Sequence, residues 1–201
     1  MARMYVQRAR AESAAATRRR MVEAARAVLM DGEVPRLELA EVAQRAGIAR
    51  STVYLSFGTR SALMTAILDD SLNRAGFERI REYLALPDDI EALEKTLAQA
   101  AAMYATDYAV LRRMLLLARL DPDAARDYGA RQERRAAGMR DLAKRLRDQQ
   151  RLRAGVSAGE ASAVLWVLTS FETFDQLFSG WSLDARTCGT RIVAMARSSL
   201  L

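Results

Sequence analysis

The sequence predicts an all-α protein of about nine helices. Of its 201 residues, 51% are hydrophobic and only 6% are aromatic, and 10 glycines and 3 prolines leave few helix breakers. Apolar residues recur at the spacing of one helix face along most of the chain, with no convincing strand or long-period repeat. This composition is typical of a globular chain with one large or two small domains, and it argues against an all-β sandwich.

The N-terminal part of the chain has the pattern of three helices behind a basic segment. Residues 1–12 are rich in Arg and Ala and show no clear periodicity, which predicts a flexible arm. Three apolar stripes follow, and they end at Gly32, Gly47 and Phe57. Since a glycine permits a tight turn between two helices, residues 13–60 outline a helix-turn-helix domain.

Residues 61–201 carry six further stripes of helical spacing. The first follows Thr59, which can serve as its N-cap, and three others begin at capping signals around Asp88, Asp121 and Ser157. The segment 161–178 is apolar around nearly its whole circumference, and a helix of that kind is expected to be buried on several sides.

The composition excludes several classes of function. The chain has no histidine and a single cysteine, Cys188, so Ser-His-Asp and Cys-His catalysis and His-ligated zinc are ruled out. No Gly-rich phosphate loop is present, and we therefore expect no enzyme activity, no metal and no other cofactor. The lone cysteine, the lack of a signal peptide and the lack of an apolar run near 20 residues predict a cytoplasmic protein without a membrane partner.

The excess positive charge lies at the N-terminal end. The net charge is +6; residues 1–60 contain 11 arginines against 6 acidic residues, whereas residues 61–201 contain 20 basic and 19 acidic residues. Cations placed there can meet phosphates, although a solvated basic tail has the same composition.

Residues 39–63 carry a motif. They read Leu-Ala-Glu-Val-Ala-Gln-Arg-Ala-Gly-Ile-Ala-Arg-Ser-Thr-Val-Tyr-Leu-Ser-Phe-Gly-Thr-Arg-Ser-Ala-Leu. This segment resembles the tetracycline-repressor (TetR) family of bacterial regulators, and the matching positions are Ala46, Gly47, Ile48, Thr52, Val53, Tyr54, Phe57 and Leu63. The chain departs from the family pattern at Ala49, where a Ser usually caps the reading helix, and at Leu37, Glu38, Ser56 and Arg60.

The resemblance implies binding to double-stranded DNA through the third helix. The first residues of a helix in the major groove lie closest to the base edges, so Arg50 and Ser51 are expected to read bases, joined one turn later by Tyr54 and Leu55. Contacts to the phosphates are expected from five further residues, namely Thr17, Arg18, Thr52, Ser56 and Arg60. Gly47 is expected to form the turn between the two helices.

The resemblance also implies a C-terminal ligand-binding and dimerisation domain over residues 61–201. In this family the last two helices form a homodimer, for which we expect interface contacts from Leu165, Phe174, Phe178, Ile192 and Met195. The other helices of the family enclose a small-molecule pocket, for which we nominate Met103, Tyr104, Met114, Trp166, Thr169, Ser170 and Thr173. Their aromatic, thioether and hydroxyl groups favour a small apolar or aromatic ligand, although each residue taken singly has the character of ordinary core.

The sequence therefore predicts a homodimeric transcriptional regulator that binds a near-palindromic operator and is released from it by a small molecule. An activator, or a DNA-binding protein that responds to no ligand, has the same fold and stays open as an alternative. A helical enzyme or scaffold that has lost DNA binding is a third class, and it would bind no DNA at low salt.

Overall fold

The computed structural model of the chain is all-helical. It describes the backbone of residues 2–201 and the side chains of residues 7, 8 and 11–201. Its helices are α1 (Ala2–Met30), α2 (Leu39–Ala46), α3 (Arg50–Phe57), α4 (Arg60–Arg74), α5 (Phe77–Leu84), α6 (Asp89–Thr106), α7 (Tyr108–Leu120), α8 (Pro122–Asp148), α9 (Ala158–Leu168), α10 (Phe171–Asp175) and α11 (Ala185–Leu200), with a π-helical turn (Gln176–Gly180) after α10. The all-α prediction is confirmed, and no strand occurs within residues 2–201.

The described chain has eleven α-helices where the sequence predicts about nine, because two predicted helices are each divided. Gly76 has φ +75° and separates α4 from α5. The apolar segment 161–178 is broken at Ser170, whose side chain accepts a hydrogen bond from the N–H of Thr173 and so starts α10 as an N-cap. A hydroxyl that bonds the local backbone competes with helix continuation, and an apolar periodicity does not reveal this.

The first helix is longer than the sequence predicts. Where residues 1–12 are expected to form a flexible arm, the structure continues α1 back to Ala2, and Met1 lies outside the described residues. Ala, Arg and Glu are strong helix formers, so this segment can be helical without an apolar face to bury. Up to Ala16, the described side chains of this segment are exposed.

The chain divides into two compact units. The N-terminal unit comprises the described residues up to Ser71 together with Ala109–Tyr128, and the C-terminal unit comprises Leu72–Tyr108 and Gly129–Leu201. The sequence predicts a boundary near residue 60, whereas nearly all of α7 and the start of α8 group with the N-terminal helices.

The N-terminal unit has a continuous hydrophobic core. Helices α1 to α4 contribute most of it, and α7 and α8 add Val110, Met114, Leu117 and Ala124. Arg113 on α7 donates hydrogen bonds to the carbonyls of Leu29 (2.9 Å) and Asp31 (2.7 Å), and also to those of Gly32 and Glu33. These bonds satisfy one carbonyl group of the last turn of α1 and three of the loop that follows it.

The C-terminal unit is built around α6, which packs against α5 and α11. Its largest fully buried side chains are Leu93, Leu97, Leu142, Leu146, Leu165, Phe174 and Leu200. Asp88 and Ser157 cap α6 and α9 with their side chains, and Ser157 forms the reciprocal capping box with Glu160. Among the described residues, no helix is both long and apolar enough to span a membrane.

Candidate nucleic-acid interface

Helices α2 and α3 and the turn between them form a helix-turn-helix. Gly47 follows α2 with φ +63° and ψ +39°, a left-handed conformation that side chains with a Cβ disfavour. Its N–H donates to the carbonyls of Ala43 and Gln44 and closes the end of α2. Val53 and Phe57 on α3 are buried in the core of the N-terminal unit.

The opposite face of α3 is open to solvent. Arg50, Ser51 and Tyr54 are exposed, and the side chain of Leu55 is 89% exposed. The structure thus places all four side chains that the resemblance implies for base contact on the surface of α3. A leucine so exposed in the middle of a short helix adds nothing to the core, and it is available to contact a thymine methyl group.

Arg50 and Tyr54 contact each other on this face. The Arg50 guanidinium donates a hydrogen bond of 3.1 Å to the Tyr54 hydroxyl, and it lies 5.4 Å from the centre of the tyrosine ring. The hydrogen bond to Tyr54 raises the pKa of Arg50 above its ordinary value. Tyr54 therefore orients the guanidinium before any DNA is bound, and oriented donors are what a bidentate contact to guanine requires.

The residues expected to contact phosphates differ in their surroundings. Ser56 is exposed, whereas Thr17 and Thr52 are partly buried. Arg18 donates a hydrogen bond of 3.2 Å to the carbonyl of Ser56, and its guanidinium lies 4.3 Å from the centre of the Phe57 ring. Arg18 thus contacts the last turn of α3, a role that sequence spacing does not reveal because 38 residues separate it from Ser56.

Arg60, the fifth residue expected to contact a phosphate, is paired with an acidic side chain of the protein. Its guanidinium forms an ion pair with Asp121 at the start of α8. The N–H groups of Ala124 and Asp123, together with the charge of Arg60, hold the pKa of Asp121 below its ordinary value. A carboxylate that stays ionised keeps Arg60 paired within the protein.

The expected ligand residues fall into both compact units. Met114 is buried in the core of the N-terminal unit, whereas the other six lie in the C-terminal unit. There Met103 is buried, and Trp166 is 42% exposed. The Tyr104 hydroxyl donates to the carbonyl of Thr169 at 2.8 Å, and Thr173 contacts Ser170 through a hydrogen bond of 3.0 Å between their hydroxyls.

Five aromatic rings come together beside these residues. This aromatic cluster consists of Tyr104, Tyr108, Phe171, Phe174 and Phe178, and the centres of neighbouring rings are 4.9 to 6.4 Å apart. Burial raises the pKa of Tyr104 to about 12, so its hydroxyl stays protonated as a donor. Only Tyr104 of the five is among the expected ligand residues, because the other rings have the spacing of ordinary core or interface positions.

Arg135 on α8 lies at the break between α9 and α10. It donates to the carbonyl of Trp166, to the Thr169 hydroxyl (2.7 Å) and to the side-chain oxygen of Gln132 (2.6 and 2.9 Å). Its guanidinium also lies 5.0 Å from the centre of the Trp166 indole. Sequence reasoning missed Arg135, because nothing in its local pattern sets it apart from the many other arginines of α8.

The C-terminal unit also contains a cavity of about 270 Å³. It is lined by Arg74, Ala75, Gly76, Arg79, Gln99, Ala102 and Thr106, and none of the expected ligand residues is among them. Ala102 and Thr106 lie two residues on either side of Tyr104, which is roughly 200° around the helix. The cavity and the aromatic cluster therefore use different faces of α6.

The residues expected at the dimer interface are mostly covered within one chain. Leu165, Phe174 and Ile192 are buried, and Phe178 is partly buried. Met195 is 37% exposed, and α9 also exposes Trp166 and half of Val167. Apolar surface on α9 and α11 is thus available, but of the expected residues only Met195 contributes clearly to it, because Leu165, Phe174 and Ile192 already form the core.

Comparison with known proteins identifies the N-terminal domain and the fold. Residues 21–67 match the family described as bacterial regulatory proteins, tetR family. No curated protein matches the chain by sequence. The resemblance to the TetR family is confirmed by this match and by the solved structures that share the fold.

Three of those solved structures illustrate the likeness. Native NalD, the secondary repressor of the MexAB-OprM multidrug efflux pump in Pseudomonas aeruginosa, has a TM-score of 0.74 at 22% identity, with 94% of this chain and 98% of that chain covered. FadR from Bacillus subtilis in complex with stearoyl-CoA has a TM-score of 0.72 at 14% identity, with 90% and 98% covered. A TetR transcription regulator from Haloarcula marismortui has a TM-score of 0.69 at 16% identity, with 93% and 100% covered.

Proposed function

We propose, from the tetR-family match of residues 21–67 and the TetR-type fold, that the protein is a sequence-specific DNA-binding transcriptional regulator. The observation that carries the proposal is the exposed face of α3. Arg50 and Ser51 at the start of this helix, with Tyr54 and Leu55 one turn later, face solvent while Val53 and Phe57 anchor the helix. A helix anchored on one side and polar on the other fits the major groove of double-stranded DNA.

A homodimer on a near-palindromic operator is part of the proposal. Trp166, Val167 and Met195 on α9 and α11 expose apolar surface that a second copy would cover. A two-fold axis would repeat the α3 face, and half-sites about 34 Å apart would then be read together.

The proposed regulator is a repressor that a small apolar or aromatic molecule releases from DNA. The aromatic cluster supports a ligand of this class, and the Tyr104 hydroxyl, whose proton is donated to the carbonyl of Thr169, could offer such a ligand only an acceptor. NalD is a repressor, and the FadR structure holds stearoyl-CoA. Proteins of this fold therefore include a repressor and a regulator that binds a small molecule. A ligand would act by binding more tightly to a conformer that does not match the operator.

The proposal is tested by selecting bound duplexes from a random pool with the purified full-length protein. Wild-type protein should enrich one near-palindromic sequence, and Arg50→Ala should lose that enrichment. Arg140→Ala removes the same charge from an exposed position on α8 in the C-terminal unit and serves as the control. An unchanged sequence preference in Arg50→Ala would show that Arg50 reads no base.

An activator or ligand-independent role on the same fold is the alternative. A screen for small molecules that change the affinity for the selected duplex separates the two, because only the ligand-responsive protein changes its affinity. A helical scaffold without DNA binding would enrich no sequence at all in the selection.

A further inference from the structure

The connection between α3 and α4 is short and tightly hydrogen-bonded. Only Gly58 and Thr59 separate the two helices, and the Gly58 N–H donates to the carbonyl of Tyr54 at 2.7 Å. The Thr59 hydroxyl accepts a hydrogen bond of 3.1 Å from the N–H of Ala62 and caps α4. With so few residues between them, a change in the first turn of α4 is passed to the end of α3, which Val53 and Phe57 otherwise anchor in the core.

That first turn is attached to the beginning of α8 at two points, the N-cap Asp121 and Asp127 in the second turn. Arg60 forms its ion pair with Asp121, and the neighbouring Ser61 donates a hydrogen bond from its hydroxyl to a carboxylate oxygen of Asp127. The Asp121 side chain is only 15% exposed, and that of Arg60 is 34% exposed. The pair is therefore shielded from solvent to a degree that an ordinary surface ion pair is not.

Asp121 is itself held in place from both sides. Its Oδ1 accepts hydrogen bonds of 3.0 Å from the N–H groups of Asp123 and Ala124, which makes it the N-cap of α8. Ala124 and Leu117 on either side of it are buried in the core of the N-terminal unit. A carboxylate fixed this way offers Arg60 a rigid partner.

We propose that Asp121 is a positioning residue for DNA recognition: it holds Arg60, and through the first turn of α4 it sets the orientation of α3. Arg60 then acts within the protein and does not contact a phosphate. This inference rests on the proposed function, because its effect is measured on DNA binding. It makes the α7–α8 corner, residues 109–128, a required part of the DNA-binding unit.

The test replaces Asp121 by Ser in the full-length protein. Serine is as good an N-cap as aspartate but is too short to reach Arg60, so Asp121→Ser keeps the start of α8 and removes the ion pair. The probe is the duplex that wild-type protein selects from a random pool. We expect a loss of affinity of about fivefold, which corresponds to the loss of one charge-assisted interaction.

A phosphate contact by Arg60 would give different DNA affinities for the same variants. If Arg60 contacted a phosphate, Asp121→Ser would release its guanidinium and leave affinity unchanged or higher, and Arg60→Gln would reduce the slope of log K against log salt by about 0.9. For a positioning role, Arg60→Gln lowers affinity without changing the slope. The double variant Arg60→Gln/Asp121→Ser should then lose no more than either single variant, because both remove the same contact.

Two further measurements test whether Asp121 acts through α3. Amide hydrogen exchange in α3 and in the Gly58–Thr59 turn should be faster in Asp121→Ser without DNA, which loss of a phosphate contact would not cause. Ser61→Ala removes only one hydrogen bond and should lower affinity in the same direction, and it serves where Asp121→Ser does not fold. The inference is overturned if wild-type protein selects a sequence and Asp121→Ser and Ser61→Ala bind that sequence as tightly as wild type does. If wild-type protein selects no sequence, the result contradicts the proposed function instead.

Discussion

Arg50 is the residue on which sequence reading depends most directly. It is exposed at the start of α3, and the hydroxyl of Tyr54 orients it. Arg50→Lys keeps the charge but removes the planar pair of donors, so discrimination between the selected duplex and one with the contacted base pair changed should fall by about 1–3 kcal/mol. Competition gel shifts measure this difference, and Arg140→Lys on α8, in the C-terminal unit, should show none.

Tyr54 is expected to act on bases through Arg50. Tyr54→Phe removes the acceptor for Arg50 while it keeps the ring that lies 5.4 Å from the guanidinium. We expect a partial loss of discrimination, about 1 kcal/mol, since one hydrogen bond to a charged group is lost. The Tyr54→Phe change should therefore cost little when Arg50 is already replaced by Lys. If it lowers discrimination as much in Arg50→Lys as in the wild-type protein, the two residues act independently, and Tyr54 does not act through Arg50.

For single residues, the sequence predicts which side chains are exposed better than it predicts which groups they contact. Val53 and Phe57 one turn apart already indicate which face of α3 is buried, and the exposed four follow from it. The partners of Arg18 and Arg60 lie 38 and 61 residues away along the chain, so no local pattern contains them. A charge expected to meet DNA can therefore be paired within the protein.

At the scale of elements, α8 is joined to the start of α6 by a buried charge. The Asp89 side chain is fully buried and pairs with Arg145, which also donates to the carbonyls of Leu84 and Leu86. Arg145→Gln would leave the carboxylate buried without a cation, and we expect a loss of about 3 kcal/mol in the free energy of unfolding. Urea denaturation measures it.

The matched control for this variant is a solvent-exposed pair. Lys95 and Glu91 form an i,i+4 pair on α6 with both side chains about half exposed. Lys95→Gln should leave the urea midpoint unchanged, because exposed pairs contribute little. Equal effects of Arg145→Gln and Lys95→Gln would show that the burial of Asp89 has no energetic consequence.

Capping residues predict the starts of helices well, whereas apolar periodicity misplaces their interruptions. Thr59, Asp88, Asp121 and Ser157 each accept backbone N–H bonds at the helix starts that they were expected to cap. The break at Ser170 lies within an uninterrupted apolar stretch, and it depends on a hydroxyl that bonds the backbone of Thr173. Hydropathy does not indicate whether a hydroxyl will bond the local backbone and end a helix or leave the helix to continue.

At the scale of the whole molecule, dimerisation is predicted to depend on the exposed apolar side chains of α9 and α11. Val167 is half exposed, so Val167→Glu should place a charge in the interface and shift the protein toward monomer in sedimentation velocity. Val34→Glu, at a position 63% exposed in the loop after α1, is the control and should leave the oligomeric state unchanged. A dimer as stable in Val167→Glu as in wild type would remove α9 from the interface.

The division into units shows what a single sequence leaves open at this scale. Residues 109–128 follow the predicted DNA-binding domain by some fifty positions, and they join its unit through Arg113 and Asp121 and through buried Met114. Contacts between segments so far apart are settled by packing of the whole chain. A boundary near residue 60 follows from local pattern alone, and local pattern does not contain these contacts.

The central claim, that α3 selects DNA by sequence, is tested most directly by equilibrium competition. The full-length protein would be titrated with the duplex it selects and with a duplex of the same length and base composition in scrambled order, at one fixed salt concentration. The account predicts preference for the selected duplex by about a thousandfold or more, which Arg50→Ala reduces sharply. Equal affinity for the two duplexes would contradict it.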